Sequence, residues 1–105
     1  MSADIKQYTL AELKSLEKAI KKGELDKYLE NCLSVEYETY YNPDTRKLEH
    51  LGANVVMAVG GPSIVINTRF NVVKGAWWGD NCSFSYRDEH HELYSIFQGQ
   101  FEALR

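Results

Sequence analysis

Carboxylates, one thiol and two imidazoles are concentrated in a short stretch of the sequence, and these side chains are the usual ligands of zinc and iron. The members of this cluster are Asp80, Cys82, Asp88, Glu89, His90, His91 and Glu92. Adjacent histidines on a helix point about 100° apart, so His90 and His91 cannot both face one ion. Four residues further on stand Tyr94 and Ser95, which supply no second ligand. The spacing favours a solvent-exposed first turn of a helix, and we expect no metal and no cofactor.

A cysteine nucleophile needs a base within hydrogen-bond reach. Cys82 precedes His90 and His91 by eight and nine residues, across a predicted strand and turn, so the spacing permits a contact. Cys32 lies on an apolar helical stripe with Leu29, which is typical of a core residue. A small metal- or cysteine-dependent hydrolase therefore stays open as an alternative, although the residues favour a protein that is not an enzyme and has no catalytic residue.

Gly60 and Gly61 are the candidate for a phosphate-binding loop. Such a loop opens onto the N-terminus of a helix, whose backbone N–H groups bind the phosphate. Here Pro62 removes a donor, and residues 63–67 form a β-branched run that is typical of a strand. We therefore expect a tight turn between two strands and not a nucleotide site.

Composition limits the classes of partner. The chain has 105 residues, 44% hydrophobic and 26% charged, which predicts a single α+β domain over residues 1–105. Its 15 acidic and 12 basic residues give a formal charge of −3, whereas proteins that neutralise many phosphates are basic. No stretch approaches the roughly 20 apolar residues that span a bilayer, and the first ten residues lack the apolar run of a signal peptide. We expect a cytoplasmic protein that contacts neither nucleic acid nor membrane directly.

Helical patterns stand at both ends of the chain. Thr9 and Glu12 fit a capping box at the start of the first helix, and Gly23 predicts its end. A second short helix follows, although one helix bent at Gly23 is the alternative. The apolar stripe of the second helix comprises Leu25, Tyr28, Leu29, Cys32 and Leu33. Asp88 is expected to cap a C-terminal helix. The apolar stripe of that helix comprises Leu93, Ile96, Phe97, Phe101 and Leu104.

Between the helices the apolar period changes from 3.6 to 2, which indicates strands. The predicted strands are residues 35–41, 53–59, 63–67, 72–78 and 83–87. Turns are expected at 42–45, extended by the charged residues 46–50, and at 60–62, 67–71 and 79–81. These connections are mostly too short for parallel crossovers, so the sheet should be antiparallel. The sequence predicts an α+β fold with two N-terminal helices or one bent helix, a four- to five-stranded antiparallel meander, and one C-terminal helix packed on the same sheet face.

Aromatic side chains exceed what one small core holds, with seven tyrosines, four phenylalanines and two tryptophans. Trp77 and Trp78 are neighbours on a predicted strand, so one should pack against the helices and the other should lie on the open face or at an edge. Tyr40 shares the outer face of its strand with Glu36 and Glu38. Tyr and Trp are enriched at binding hot spots. The predicted partner-binding residues are Glu36, Glu38, Tyr40, Trp77, Trp78 and Asp80.

An equally open reading is that loops or a second copy of the chain cover the exposed aromatic side chains. In that case the protein is a homodimer or a homo-oligomeric accessory subunit.

Two segments resemble a known group of proteins. They are residues 59–68, VGGPSIVINT, and residues 73–80, VKGAWWGD. They are similar to small proteins of bacteriophages and mobile elements that share a Gly-Gly-Pro turn between two strands and a Trp-Gly-Asp-like strand end, followed by a short strand and a C-terminal helix. Small mobile-element proteins of this size include anti-CRISPR and anti-restriction inhibitors. The resemblance implies an inhibitor that binds a nucleic-acid-binding defence effector in the bacterial cytoplasm by docking an acidic, aromatic surface onto its basic groove.

Overall fold

The computed structural model describes residues 2–104, with side chains from residue 4 onward. Two helices come first, followed by five strands and a last helix. They are α1 (Ser2–Lys22), α2 (Leu25–Leu29), β1 (Ser34–Asn42), β2 (Lys47–Ala58), β3 (Ser63–Asn67), β4 (Val72–Trp77), β5 (Asp80–Ser85) and α3 (Glu92–Leu104). The strands form one antiparallel sheet in the order β1-β2-β3-β4-β5. The predicted α+β fold with an antiparallel meander and helices at both ends is confirmed.

The core lies between the sheet and the helices, on one face of the sheet. The sheet contributes alternate residues of its inner strands, namely Ala53, Val55, Ile64, Ile66 and Val73. The helices contribute Leu16 and Ala19 from α1 and Leu93 and Phe97 from α3. Because successive side chains of a strand point to opposite faces, the residues between these point away from α1 and α3. We call this second side the open face; it carries Glu36, Glu38, Asn54, Val65, Lys74 and Ser83.

The first helix begins well before the predicted capping box. Thr9 is an interior helical residue with 0% exposure, and its hydroxyl donates to the carbonyl oxygen of Ile5 at 2.7 Å. The capping-box prediction is therefore wrong. Gly23 ends α1 as predicted, with a φ of 69°. Leu33, which was assigned to the stripe of the second helix, is 59% exposed and lies beyond α2.

The second strand begins earlier than predicted. Residues 47–50, expected in a loop, pair with β1, with Tyr41 opposite Leu48 and Thr39 opposite His50. A register shift follows, because Glu38 pairs with Gly52 and Leu51 is the extra residue of a β-bulge. Cross-strand pairing with a tyrosine-rich strand therefore outweighs the charged composition of this segment.

Helix α1 packs closely against the backbone of β4 at Gly75. A Cβ atom at Gly75 would lie 1.9 Å from Thr9 Oγ1 and 3.1 Å from Ile5 Cδ1. The thiol of Cys82 on β5 donates to the same Thr9 oxygen at 3.3 Å. The absence of a side chain at Gly75 therefore lets a buried helical hydroxyl rest on the backbone of β4.

Gly75→Ala is expected to lower the free energy of unfolding by about 1–3 kcal/mol, because the added methyl group forces α1 away from β4. Urea unfolding followed by circular dichroism measures the loss, with Gly99→Ala as control because a Cβ there meets nothing within 4 Å. Thr9→Ala removes the atom that the new methyl group strikes, so the double variant should lose less than the sum of the two single losses. Additive losses would contradict this account of the contact.

Two tyrosine hydroxyls, that of buried Tyr86 and that of half-buried Tyr28, differ in their surroundings. Tyr28 donates to Glu12 Oε2, whereas the hydroxyl of Tyr86 has no hydrogen-bond partner among the described residues. Burial raises the pKa of Tyr86 far above its ordinary value of 10.0, and the charge of Asp88 raises it further. Burial, followed by the hydrogen bond and charge of Glu12, raises the pKa of Tyr28 in the same direction. Because both pKa values are raised in the fold, this contribution to stability is complete below about pH 10 and is lost as the pH rises above it.

Tyr86→Phe is expected to leave the free energy of unfolding at pH 7 unchanged or to raise it by about 1 kcal/mol, because it removes an unpaired buried hydroxyl. It should also reduce the loss of stability above about pH 10. Tyr28→Phe, the matched variant, should lower stability at pH 7 because it breaks a hydrogen bond to a carboxylate. Urea unfolding at the two pH values tests both, and a clear loss on Tyr86→Phe at pH 7 would show that its hydroxyl is paired.

Candidate functional site

The two segments that carry the sequence resemblance supply two turns at one end of the sheet. The β3–β4 register pairs Ser63 with Ala76. The Gly60-Gly61-Pro62 connection immediately precedes Ser63, and the β4–β5 turn follows Trp77, so the two turns are neighbours. The ring of Tyr8 on α1 lies 6.0 Å from that of Trp77 in an edge-to-face arrangement. We call this end, formed by residues 59–62, residues 77–80 and Tyr8, the aromatic edge.

Trp78 occupies the first central position of the two-residue turn between β4 and β5. Its φ is 53° and that of Gly79 is 83°, the positive pair that a type I′ turn requires. Asparagine, aspartate and glycine are the usual residues at the first position, and a bulky residue there is an outlier. Trp78 is also 82% exposed, so packing within the described chain does little to offset the strain. Arg46 and His91 are also exposed with a positive φ, but Trp78 alone combines this conformation with a large apolar side chain, and that combination motivates a functional hypothesis.

Trp77 and Asp80 close the same turn as a cross-strand pair. Trp77 is half-buried against Tyr8 of α1, and Trp78 lies in the turn, so one tryptophan packs on a helix and the other lies at an edge, as the sequence predicts. The turn itself is Trp78-Gly79, and Asp80 begins β5. The predicted turn at 79–81 and the last strand at 83–87 are therefore misplaced. Tryptophan rarely occupies a left-handed turn position, so the sequence does not mark Trp78 as a turn residue.

Glu38 belongs to a polar network on the open face. Its Oε1 accepts hydrogen bonds from Asn67 Nδ2 at 2.6 Å and from Asn54 Nδ2 at 3.2 Å, and its Oε2 lies 3.5 Å from Arg69 Nη1. Asn67 is only 2% exposed. Arg69 of the β3–β4 loop packs against Gly52 of β2, where an added Cβ would lie 2.5 Å from Arg69 Cβ. Glu38 therefore anchors this loop, a role that its sequence neighbours do not indicate.

The six predicted partner-binding residues fall into two groups. Glu36, Glu38 and Tyr40 lie on the open face of β1, with Glu36 and Tyr40 exposed. Residues 77, 78 and 80 lie at the aromatic edge. Two strands separate β1 from β4, which puts the strands about 14 Å apart at the usual spacing of about 4.8 Å. The expected single acidic and aromatic surface is therefore two surfaces.

The cysteine and histidine cluster is not assembled. Cys82 contacts Thr9 near the start of α1, whereas His90 lines a groove with Glu17 and Lys21. Eight residues of helix separate Thr9 from Glu17, which is roughly 12 Å. Within residues 2–104 no group of three or more histidine, cysteine, aspartate or glutamate side chains could hold a metal ion. The contact between Cys82 and the histidines that the sequence spacing permits is therefore not formed.

Asp88 caps the last helix as predicted. Its Oδ1 accepts from the backbone N–H of Glu92 and its Oδ2 from that of Leu93, both at 2.9 Å. His90 and His91 are exposed in the turn between Asp88 and α3. The carboxylate thereby satisfies two of the unpaired donors at the start of the helix.

The sequence gives no sign of the position of His50, because its charged neighbours predict a loop. The side chain is 8% exposed on the helix-facing side of β2, and its Nδ1 lies 2.7 Å from Gln98 Oε1. Because Gln98 Nε2 donates to Glu102, the amide orientation makes His50 Nδ1 the donor. Its Nε2 is buried without a partner among the described residues. The rings around it belong to Tyr37, Tyr94 and Phe101. The bulge at Leu51 interrupts the alternation of inward and outward side chains along β2, so the sequence pattern does not mark His50 as inward-facing.

Comparison with known proteins identifies no relative: no family model, curated protein or solved structure matches the chain. Across residues 2–104, no helix combines the length and apolar character needed to cross a membrane.

Trp78→Asn is expected to raise the free energy of unfolding by about 1 kcal/mol, because Asn-Gly is favoured in a type I′ turn and tryptophan is strained there. Trp77→Ala should instead destabilise the chain, since it removes a half-buried ring from Tyr8. Urea unfolding of both variants distinguishes the roles. A loss of stability in Trp78→Asn comparable to that in Trp77→Ala would mean that Trp78 packs within the fold.

Proposed function

We propose that the chain is a non-enzymatic protein-binding module and that the aromatic edge is its docking surface. The observation that carries the proposal is Trp78, held at a strained φ of 53° with 82% of its surface exposed. The position costs conformational strain and leaves a large apolar ring in water. A partner that buries an aromatic side chain of 150–250 Å² gains about 4–6 kcal/mol from the apolar area alone. Burial of this ring by a partner would therefore offset the strain and the exposed apolar area, which contacts within the fold do not.

The surroundings of Trp78 support a pre-organised binding surface. A two-residue turn leaves little freedom to lose, so docking incurs a small entropic cost. Trp77 and Tyr8 brace the base of the hairpin through their ring contact. Val59, in the neighbouring connection, is 64% exposed, and Tyr8 is 50% exposed. Together with Trp78 they give this end of the sheet several exposed apolar side chains, and aromatic residues are enriched at hot spots.

The class of partner follows from the resemblance to phage and mobile-element proteins, whose two motif segments supply both turns of the aromatic edge. On this basis the partner is a bacterial defence nuclease, such as a CRISPR effector complex, and the chain inhibits it in the bacterial cytoplasm. The formal charge of −3 does not oppose approach to a basic groove that otherwise holds nucleic acid.

The test uses a panel of purified CRISPR effector complexes loaded with guide RNA, together with restriction complexes. Binding is measured by biolayer interferometry, and inhibition by cleavage of a matched DNA target. The chain should bind at least one complex and slow its cleavage. Trp78→Asn, which is expected to fold at least as well, should weaken binding by about 30-fold or more, because loss of a hot-spot residue removes at least about 2 kcal/mol.

Phe70→Ala is the matched control. Phe70 is 64% exposed in the β3–β4 loop, at the opposite end of the sheet from the aromatic edge, and the variant should bind within twofold of the unaltered chain. Failure to bind any complex in the panel would refute the proposed partner class. Equal binding by Trp78→Asn and the unaltered chain would refute the aromatic edge as the docking surface.

A further inference from the structure

Strand β1 has an outer edge that no strand of the described chain occupies. It is the first strand in the sheet order and pairs with β2 alone. At nine residues it is long for an edge strand, and edge strands with unpaired backbone groups readily accept another chain. Proline and lysine, which commonly block such edges, are missing from Ser34–Asn42. The strand is therefore available for the addition of a sixth strand.

The charge along this edge is acidic on one face. Glu36 and Glu38 both lie on the open face of β1; Glu36 is exposed, whereas the carboxylate of Glu38 is held by Asn54, Asn67 and Arg69. Glu49, opposite Tyr40 on β2, adds a third carboxylate to the same face. An added strand would lie about 4.8 Å from β1. Its side chains on the open face would therefore be direct neighbours of Glu36.

The other face of β1 offers apolar contacts to the same added strand. Val35 and Tyr37 point toward the helices and are half-buried, and Tyr41 is 55% exposed. The hydroxyl of Tyr37 donates to Gln100 Oε1 on α3 at 3.3 Å, which holds the ring in place. A partner strand that alternates basic and apolar residues would match both faces of β1.

A second copy of the chain fits this edge poorly. The antiparallel register that pairs all nine residues of β1 with another β1 puts Glu36 opposite Tyr40 of the second copy, which offers it no charge partner. A lysine or arginine opposite Glu36 would instead contribute about 0.2–1 kcal/mol. The charge pattern therefore favours a basic segment over self-association.

We propose that β1 binds an extended basic segment of a partner protein by strand addition, with a lysine or arginine of that segment facing Glu36. This inference rests on the proposed function, because it assumes a protein partner, but it uses a surface separate from the aromatic edge. Main-chain hydrogen bonds to β1 supply affinity, and the alternating side chains supply specificity.

The probe is a fluorescent nonapeptide that alternates lysine with valine or threonine. Anisotropy should show saturable binding that weakens as salt is added. NMR shift changes should be largest in Ser34–Asn42. Two further peptides carry N-methyl groups on the odd-numbered or the even-numbered backbone nitrogens. One of them should lose binding, because its methylated amides are those that face β1 and they can no longer donate. Glu36→Lys should weaken binding about tenfold, and Glu89→Lys, with the same change in net charge in an exposed loop, should have little effect.

Several outcomes would overturn the inference. Insensitivity to N-methylation, or equal losses in Glu36→Lys and Glu89→Lys, would mean diffuse charge attraction without strand addition. A dimer in light scattering whose NMR contacts map to β1 would make a second copy the occupant. Trp78→Asn should leave peptide binding unchanged. If the peptide does not bind but an effector still binds through Trp78, this inference alone is refuted. If the peptide binds but no effector does, the proposed function alone is refuted.

Discussion

The contact between α1 and the backbone of β4 at Gly75 sets the geometry of the rest of the molecule. Thr9 rests where a side chain of β4 would otherwise stand, so α1 lies directly on the last two strands. Tyr8, the preceding residue, is thereby placed beside Trp77. As a result Trp77 packs against α1, whereas Trp78 lies in the turn. A helix held further from the sheet would not brace the aromatic edge.

Covering only one face of the sheet has a second consequence. The open face keeps its polar residues, and the network around Glu38 and Asn67 secures the β3–β4 loop across β2. The helices make their main contacts with β2, β4 and β5, which leaves the outer edge of β1 without a cover from them. The two surfaces proposed for binding are thus the places where the packing of the helices ends. One presents an aromatic ring, and the other presents backbone groups beside carboxylates.

The sequence predicts the elements of this fold well because the periods of its apolar residues differ clearly between helices and strands. It misplaces boundaries where tertiary contacts override local signals. Residues 47–50 look like a charged loop but pair with β1, and Thr9 looks like a cap but fills a space over Gly75. The site is less predictable. Trp78 was identified by residue type, but its left-handed conformation was not, and Glu38 depends on Asn67 and Arg69, about 30 residues away.

The central claim is that Trp78 serves a partner and not the fold. Acrylamide quenching of Trp78 fluorescence in a Trp77→Phe background measures this directly, with and without a bound effector complex. A ring that is 82% exposed in the free chain should be quenched strongly when free and protected when the complex forms. Complex formation with undiminished quenching of Trp78 would contradict the claim.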